Sequence, residues 1–291
     1  MTHILTLAVD RRATTLSDVI VARVRDAVRG KPAITLSPGE AADIPCRSLP
    51  DMALVAAAIS GSPVDAIVTK ARGRRKGLLV ADMDSTVVTT ETLDELAAFA
   101  GLKDRIAAIT RASMNGEVDF ATALRQRVAM LKGLNLDALE KTWAQTKITP
   151  GAAELVATMR AHNAMAALVS GGFTWFTSRV AAQLGFDTHR ANTLIDDGAS
   201  LTGEVGDPIL DRDAKLAALQ EFTEARNLRK AATLAVGDGA NDLAMLHEAG
   251  LGIAYHAKPV VAAQTHAQIR HSTLRTLLFA QGYTLADIVE K

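Results

Sequence analysis

Residues 78–99, LLVADMDSTVVTTETLDELAAF, decide how the chain is read. Leu78, Leu79, Val80 and Ala81 form an unbroken apolar run, the pattern of a strand covered on both faces. The run stops at Asp82; Asp84 follows two residues later and Thr86 two after that. Two acids at the exit of a buried strand are costly to keep charged without a cation or other partners. That cost marks a site rather than packing, one that needs partner groups from elsewhere in the chain.

Downstream, residues 91–100 place Leu93, Leu96, Ala97 and Ala100 on one helical face, and Gly101 ends the helix. Residues 103–114, 120–131 and 136–145 also read as helices, and Thr149-Pro150-Gly151 closes the block. Several helices between two strands exceed an ordinary crossover, so residues 91–149 are expected to form a helical cap inserted over the site. From residue 150 the chain alternates. Helices are predicted over 152–162, 175–184, 215–226 and 243–249, and strands over 166–169, 233–236 and 251–254. Between them lies a hairpin-like stretch, with turns at Asp196-Asp197-Gly198 and Leu201-Thr202-Gly203. Repeated β-α units predict an α/β fold with a Rossmann-like parallel sheet, carried by residues 78–90 and 150–291, with ligands at the carboxyl ends of strands. Asp82, Ser170 and Asp238 each fall at such an end.

Upstream, strands near 3–9, 33–36, 45–49 and 64–69 and helices near 15–28 and 51–59 give the order β-α-β-β-α-β. This predicts a small α+β, ferredoxin-like domain over residues 1–70, with Asp51 as a helix N-cap. Residues 71–77, with Arg72, Arg74, Arg75 and Lys76, read as a solvated linker.

The acids and the strand-end loops suggest one chemistry. Asp82, Asp84 and Asp238, with Asp242 as a fourth, are hard oxygen donors with no Cys or His among them, which suits Mg²⁺ rather than zinc. Ser170-Gly171-Gly172 leads into a helix and offers a hydroxyl and backbone N–H groups to an anion, and Lys215 adds a positive charge. A carboxylate nucleophile, a second carboxyl group for proton transfer and cations around a phosphate fit phosphoryl transfer through an aspartyl-phosphate. Competing motifs fail. Counted from Asp82, a calcium loop needs Gly and Glu where Val87 and Leu93 stand, and no Walker phosphate loop is present.

Asp82-Met83-Asp84-Ser85-Thr86, Ser170-Gly171-Gly172, Lys215 and Gly237-Asp238-Gly239-Ala240-Asn241-Asp242 resemble the four signature motifs of the haloacid dehalogenase superfamily. Glu91 in Glu-Thr-Leu-Asp-Glu-Leu, Met114-Asn115-Gly116, Phe120, and Arg127 in Ala-Leu-Arg-Gln-Arg-Val resemble the cap of its phosphoserine phosphatase family. The resemblance spans residues 78–270. It implies that Asp82 is the phosphorylated nucleophile and Asp84 the general acid and base. It implies Mg²⁺ held by the Asp82 and Asp238 side chains and the Asp84 carbonyl, with Asp242 in support. Ser170, the Gly171 amide, Lys215 and Asn241 would surround the phosphate, Glu91 would meet the substrate ammonium and Arg127 its carboxylate. An ammonium and a carboxylate do require a fixed anion and a guanidinium fork. The implied substrate is O-phosphoserine; another small phosphomonoester, or a ligand sensor with a vestigial phosphatase lobe, are the alternatives. Phe120 is expected in the cap core, Arg125 in solvent, and Met245, His247 and His256 in structural roles. By analogy with related enzymes the N-terminal stretch is ACT-like.

Bulk properties agree with an enzyme of a small molecule. The 291 residues are 48% hydrophobic, and Lys+Arg equals Asp+Glu at 32 each, so no basic field favours nucleic acid or an anionic membrane. The single cysteine, Cys46, cannot form an intramolecular disulfide, which fits a reducing cytoplasm. No apolar run approaches the ~18 residues of a membrane span, and the first residues lack the basic leader of a signal peptide. A homodimer is compatible with the sequence.

Overall fold

The computed structural model describes residues 2–114 and 117–290. Met114-Asn115-Gly116, singled out above, falls largely outside the described residues.

A sheet of six strands carries the candidate site. Its order is Gln268–Ile269, Leu251–Tyr255, Thr233–Gly237, Leu78–Ala81, Met165–Phe173, Thr188–Asn192, and every neighbouring pair is parallel. All four residues of Leu78–Ala81 are fully buried, which is why that segment is uniformly apolar. Ala81 pairs with Leu168 on one side and Val236 on the other. Asp82 and Asp238 follow the ends of two neighbouring strands. Ser170, expected just past a strand end, lies inside Met165–Phe173, where the pairing becomes irregular after Val169. Adjacent strands about 4.8 Å apart therefore bring the three together.

Between Leu78–Ala81 and Met165–Phe173 come the helices Thr92–Ala98, Lys103–Met114, Phe120–Ala129 and Asp137–Gln145. The two chain segments entering and leaving this lobe are paired. Val88 bridges Ile148, the Thr89 amide donates to the Lys147 carbonyl at 3.0 Å, and the Thr149 amide to the Val87 carbonyl at 2.9 Å. The hairpin Leu194–Asp196/Leu201–Val205 supports the lobe: Gly133 and Leu136 donate to the Leu201 and Ala199 carbonyls at 2.8 and 3.1 Å. Leu201-Thr202-Gly203, expected as a turn, lies inside the strand Leu201–Val205. The turn is closed instead by the Asp197 carboxylate, which accepts from the Ala199 and Ser200 amides at 2.9 and 2.8 Å. The glycine at 203 answers another need, a φ of 84° where the strand passes Lys132.

A second, antiparallel sheet has the order Ile34–Ser37, Ala41–Cys46, His3–Ala8, Asp65–Lys70, with helices Asp18–Ala27 and Met52–Ile59. This is the expected β-α-β-β-α-β order, and the Asp51 carboxylate caps the second helix through the Ala53 amide at 2.8 Å. One face packs on the helices through Leu5, Leu7 and Ile44; on the other, Ala8, Ala41 and Ile67 join the main core. Burial on both sides explains why Ala41–Cys46 shows no polar alternation.

The chain beyond the parallel sheet fastens the two sheets. The Asp65 carboxylate accepts from the amides of Arg270, His271 and Ser272 at 2.8, 3.1 and 2.7 Å and from the Ser272 hydroxyl at 2.6 Å. Arg275 pairs with Glu40 through Nε and Nη2 at 2.7 and 3.1 Å, both side chains 3% exposed. The basic run is solvated only in part: Arg72 and Arg75 are exposed, whereas Arg74 and Lys76 are engaged by the protein. Arg74 reaches Asp43 and Thr6 in the antiparallel sheet, each at 3.0 Å, and the Phe279 carbonyl at 3.0 Å. Lys76 is buried against the Ala231 carbonyl at 2.7 Å, and the Arg75 guanidinium lies 4.3 Å from the Tyr283 ring centroid. A guanidinium fork can satisfy several oxygens at once, so a basic stretch serves here as a clamp.

Candidate active site

Asp82 leaves the central strand with its amide on the Val236 carbonyl at 3.0 Å. One carboxylate oxygen, Oδ1, accepts from the Met83 amide at 2.7 Å and from Lys215 Nζ at 2.9 Å. The next five residues, Met83–Val87, form a tight wide-ringed turn in which Ser85 is left-handed, φ 53°. Such a conformation in a residue other than glycine costs about 1 kcal/mol or more. It turns the Ser85 hydroxyl onto Glu91 Oε1 at 2.7 Å. Asp84, in the same turn, accepts from the Thr92 amide at 3.0 Å. The lobe's first helix is thus tied to the acid at its entrance. Thr86 donates to Asp238 Oδ1 at 3.3 Å.

On the adjacent strand Ser170 is buried, and its Oγ accepts from the Gly172 amide at 3.0 Å. The glycines here are required by space. A Cβ on Gly172 would lie 2.7 Å from Asp84 Oδ2, and one on Gly171 would lie 2.7 Å from the Phe120 ring. Lys215 sits near the start of the helix Arg212–Ala225, fully buried beneath the cavity floor, with its ammonium 2.7 Å from Asp242 and 2.9 Å from Asp82. Burial alone would lower its pKa; the charges of Asp242 and Asp82 outweigh that and raise it. It stays an ammonium.

Asp84, Glu91 and Asp238 are raised as well, each pushed up to about 7, which for an acid favours the uncharged form. Burial is the main cause in all three. The charges of Asp82 and Asp238 add to it at Asp84, that of Asp84 adds at Glu91, and Lys258 opposes it at Asp238. Carboxylate oxygens of Asp82, Asp238 and Asp242 lie within 4.8 Å of one another, all buried. An all-oxygen set with more negative charge than its lysines offset fits a hard divalent cation.

A cavity of about 450 Å³ lies between lobe and sheet. Asp82, Asp84, Ser170, Gly171, Asp238 and Asn241 line it from the sheet side, and Glu91 and Arg127 from the lobe. The residues singled out in the sequence are therefore gathered in one place, with Lys215 one layer below. Arg127 is buried in the helix Phe120–Ala129. Arg125, two residues earlier, is half exposed and pairs with Asp207 at 2.6 Å. His247 and His256 bond backbone carbonyls, of Gln264 and Ser272.

Phe120 differs from its expected place. It packs on the core and also lines the cavity, its ring against Gly171. Other contributors carry no mark in the sequence. Lys258 follows the strand Leu251–Tyr255 and places its ammonium 3.3 Å from Asp238 Oδ2 and 3.9 Å from Glu91. Asn192, buried, donates to the Gly171 carbonyl at 2.8 Å and accepts from the Leu210 amide at 2.7 Å. It thereby joins the glycine loop to the segment leading into the Lys215 helix. Spacing after a strand could have pointed to Lys258; nothing local points to Asn192.

Comparison with known proteins agrees with this geometry. The family model for haloacid dehalogenase-like hydrolases matches residues 79–247. A phosphoserine phosphatase from Streptomyces coelicolor is 40% identical over 232 residues, 80% of this chain and 57% of that protein. This chain therefore spans little more than half of that relative's length. A solved structure described as a phospho-aspartyl intermediate analogue of phosphoserine phosphatase superposes with a TM-score of 0.67 at 36% identity, covering 70% of this chain and 98% of that one. A probable phosphoserine phosphatase from Vibrio cholerae gives a TM-score of 0.80 at 28% identity over 98% of this chain and 88% of the other, so the likeness there includes the antiparallel sheet. The chain belongs to the haloacid dehalogenase-like hydrolase family, and the relatives compared above are described as phosphoserine phosphatases.

Proposed function

We propose that the chain is a cytoplasmic, Mg²⁺-dependent enzyme that hydrolyses O-phospho-L-serine to L-serine and phosphate, the closing step of serine biosynthesis. One observation carries the reading. A single cavity is lined by the carboxylates and glycine loop suited to phosphoryl transfer and, on its opposite wall, by the Glu91 carboxyl group and the buried Arg127 guanidinium. Those two groups match the ammonium and carboxylate of an amino acid.

In this mechanism Asp82 attacks phosphorus with the oxygen not engaged by Lys215 and Met83. A bond forms from the Asp82 carboxylate to phosphorus as the bond to the serine oxygen breaks. Asp84, held up to about 7 by burial, still carries a proton near neutrality and gives it to that leaving oxygen. The Asp84 carboxylate then takes a proton from water, whose oxygen displaces Asp82 from phosphorus and releases inorganic phosphate. Ser170, the Gly171 amide and Asn241 hold the phosphate oxygens. Lys215 fixes Asp82 from below and adds positive charge. The Asp82 and Asp238 side chains and the Asp84 carbonyl would hold Mg²⁺, which would supply charge neutralisation.

Phosphate release from a substrate panel tests this. The expected result is a preference for O-phospho-L-serine over sugar phosphates, dependence on added Mg²⁺, loss with EDTA, and no turnover by Asp82→Asn. Comparable rates on sugar phosphates would refute the substrate; an active Asp82→Asn variant would refute the nucleophile.

A further inference from the structure

Arg127 is buried, yet its hydrogen-bond partners among the described residues are uncharged oxygens. Nε donates to the Ala123 carbonyl of its own helix at 3.2 Å, and Nη1 donates to Thr110 Oγ1 at 3.0 Å. A buried charge ordinarily takes a carboxylate directly. Here the carboxylate stands one hydroxyl away. Thr110 Oγ1 donates to Asp94 Oδ1 at 2.8 Å, with the Ile106 carbonyl also in reach at 3.1 Å. Arg127, Thr110 and Asp94 come from the lobe helices Phe120–Ala129, Lys103–Met114 and Thr92–Ala98, so the relay joins three helices. Thr110 and Arg127 both line the cavity.

The arrangement has two consequences. Burial lowers the guanidinium's pKa, and the Asp94 charge opposes that in part. Because that charge acts through a hydroxyl, it leaves the fork without a bidentate partner, and Nη1 is anchored so that the remaining donors face a fixed direction. A direct Asp94–Arg127 pair would hold the guanidinium equally well but occupy the donors that a substrate needs.

We propose that Thr110, backed by Asp94, is the positioning residue that aims Arg127 at the substrate and so sets the preference for phosphomonoesters bearing a carboxylate. This rests on the reading of Arg127 as the carboxylate binder, and the experiment separates the two. KM and kcat are measured on O-phosphoserine and on O-phosphoethanolamine, which keeps the ammonium and lacks the carboxylate. Thr110→Val, nearly equal in size, removes the hydroxyl. It is expected to raise KM for O-phosphoserine about tenfold, the loss of one hydrogen bond to a charged group, while leaving kcat and the kinetics on O-phosphoethanolamine within about twofold of the parent. Thr110→Ser restores the parent values. Asp94→Asn, which keeps the size and removes the charge, gives a smaller rise with the same selectivity and serves if Thr110→Val does not fold. Equal losses on both substrates, or none on either, overturn the proposal. Arg127→Ala decides the reading beneath it. If that variant keeps the preference, the carboxylate assignment fails and the proposal with it. If it loses the preference while Thr110→Val keeps it, only the relay is wrong.

Discussion

Asp84 and Asp82 are two residues apart and have opposite surroundings. Asp82 faces the Lys215 ammonium; Asp84 faces the Thr92 amide, burial and its neighbours' negative charge. In the proposed mechanism this difference gives attack to Asp82 and proton transfer to Asp84, whose pKa burial pushes up to about 7. Asp84→Asn preserves size and the acceptor for Thr92 and removes the transferable proton. Its kcat on O-phosphoserine, whose leaving alkoxide needs that proton, is expected to fall by about 10²-fold or more. On p-nitrophenyl phosphate, whose leaving group departs unprotonated, the loss in the first step is expected to be much smaller, visible as a burst of nitrophenol. Equal loss of the burst and of O-phosphoserine turnover would show that Asp84 is not the acid.

At the scale of elements, the glycine strand end and the lobe helix are fitted to each other. A methyl on Gly171 would meet the tip of the Phe120 ring at 2.7 Å, so Gly171→Ala must displace that ring where it lines the cavity. Its kcat/KM on O-phosphoserine is expected to fall at least tenfold, and adding Phe120→Ala is expected to recover part of the loss by making room. A double variant no better than Gly171→Ala alone would show that the amide geometry, not the ring, is what the methyl disturbs. Residues 78–84 were legible in the sequence because a strand buried on both faces must be apolar and must shed its acids at its end. The Phe120 contact was not, because an aromatic residue on an amphipathic helix gives the same pattern whether it meets core or cavity. Thr110 and Asn192 were illegible for a related reason. Each is a single uncharged residue whose contacts to the site lie on other elements, so no local periodicity records them.

The antiparallel sheet is joined to the parallel one by buried polar contacts as well as by shared core. Ala8, Leu36, Ala41 and Ile67 belong to the same apolar cluster as Leu79 and Ala81. Glu40 meets Arg275, Asp65 meets residues 270–272, and Arg74 links Asp43 to the Phe279 carbonyl. The basic run gave no hint of this, since Arg74's partners lie in distant parts of the chain. The junction also reaches the lobe's exit. The Leu274 amide donates to the Pro150 carbonyl at 3.1 Å, and Gly151, at φ 86°, lies so close to Arg275 that a Cβ there would clash with its backbone. Arg275 also reaches Glu290 at 3.1 Å and Glu154 at 4.0 Å. Glu40→Ala therefore removes its buried partner without leaving the guanidinium alone, and is expected to destabilise the protein by about 1.5–3 kcal/mol, the loss of hydrogen bonds to a charged group. Because the two sheets share a core, the parent is expected to unfold in one transition in urea, coincident by fluorescence and circular dichroism. Glu40→Ala is expected to move that transition to lower urea with the same slope. Two separated transitions in the parent, or an unchanged midpoint in the variant, would mean that the antiparallel sheet is an independent appendage rather than a wall of the catalytic core.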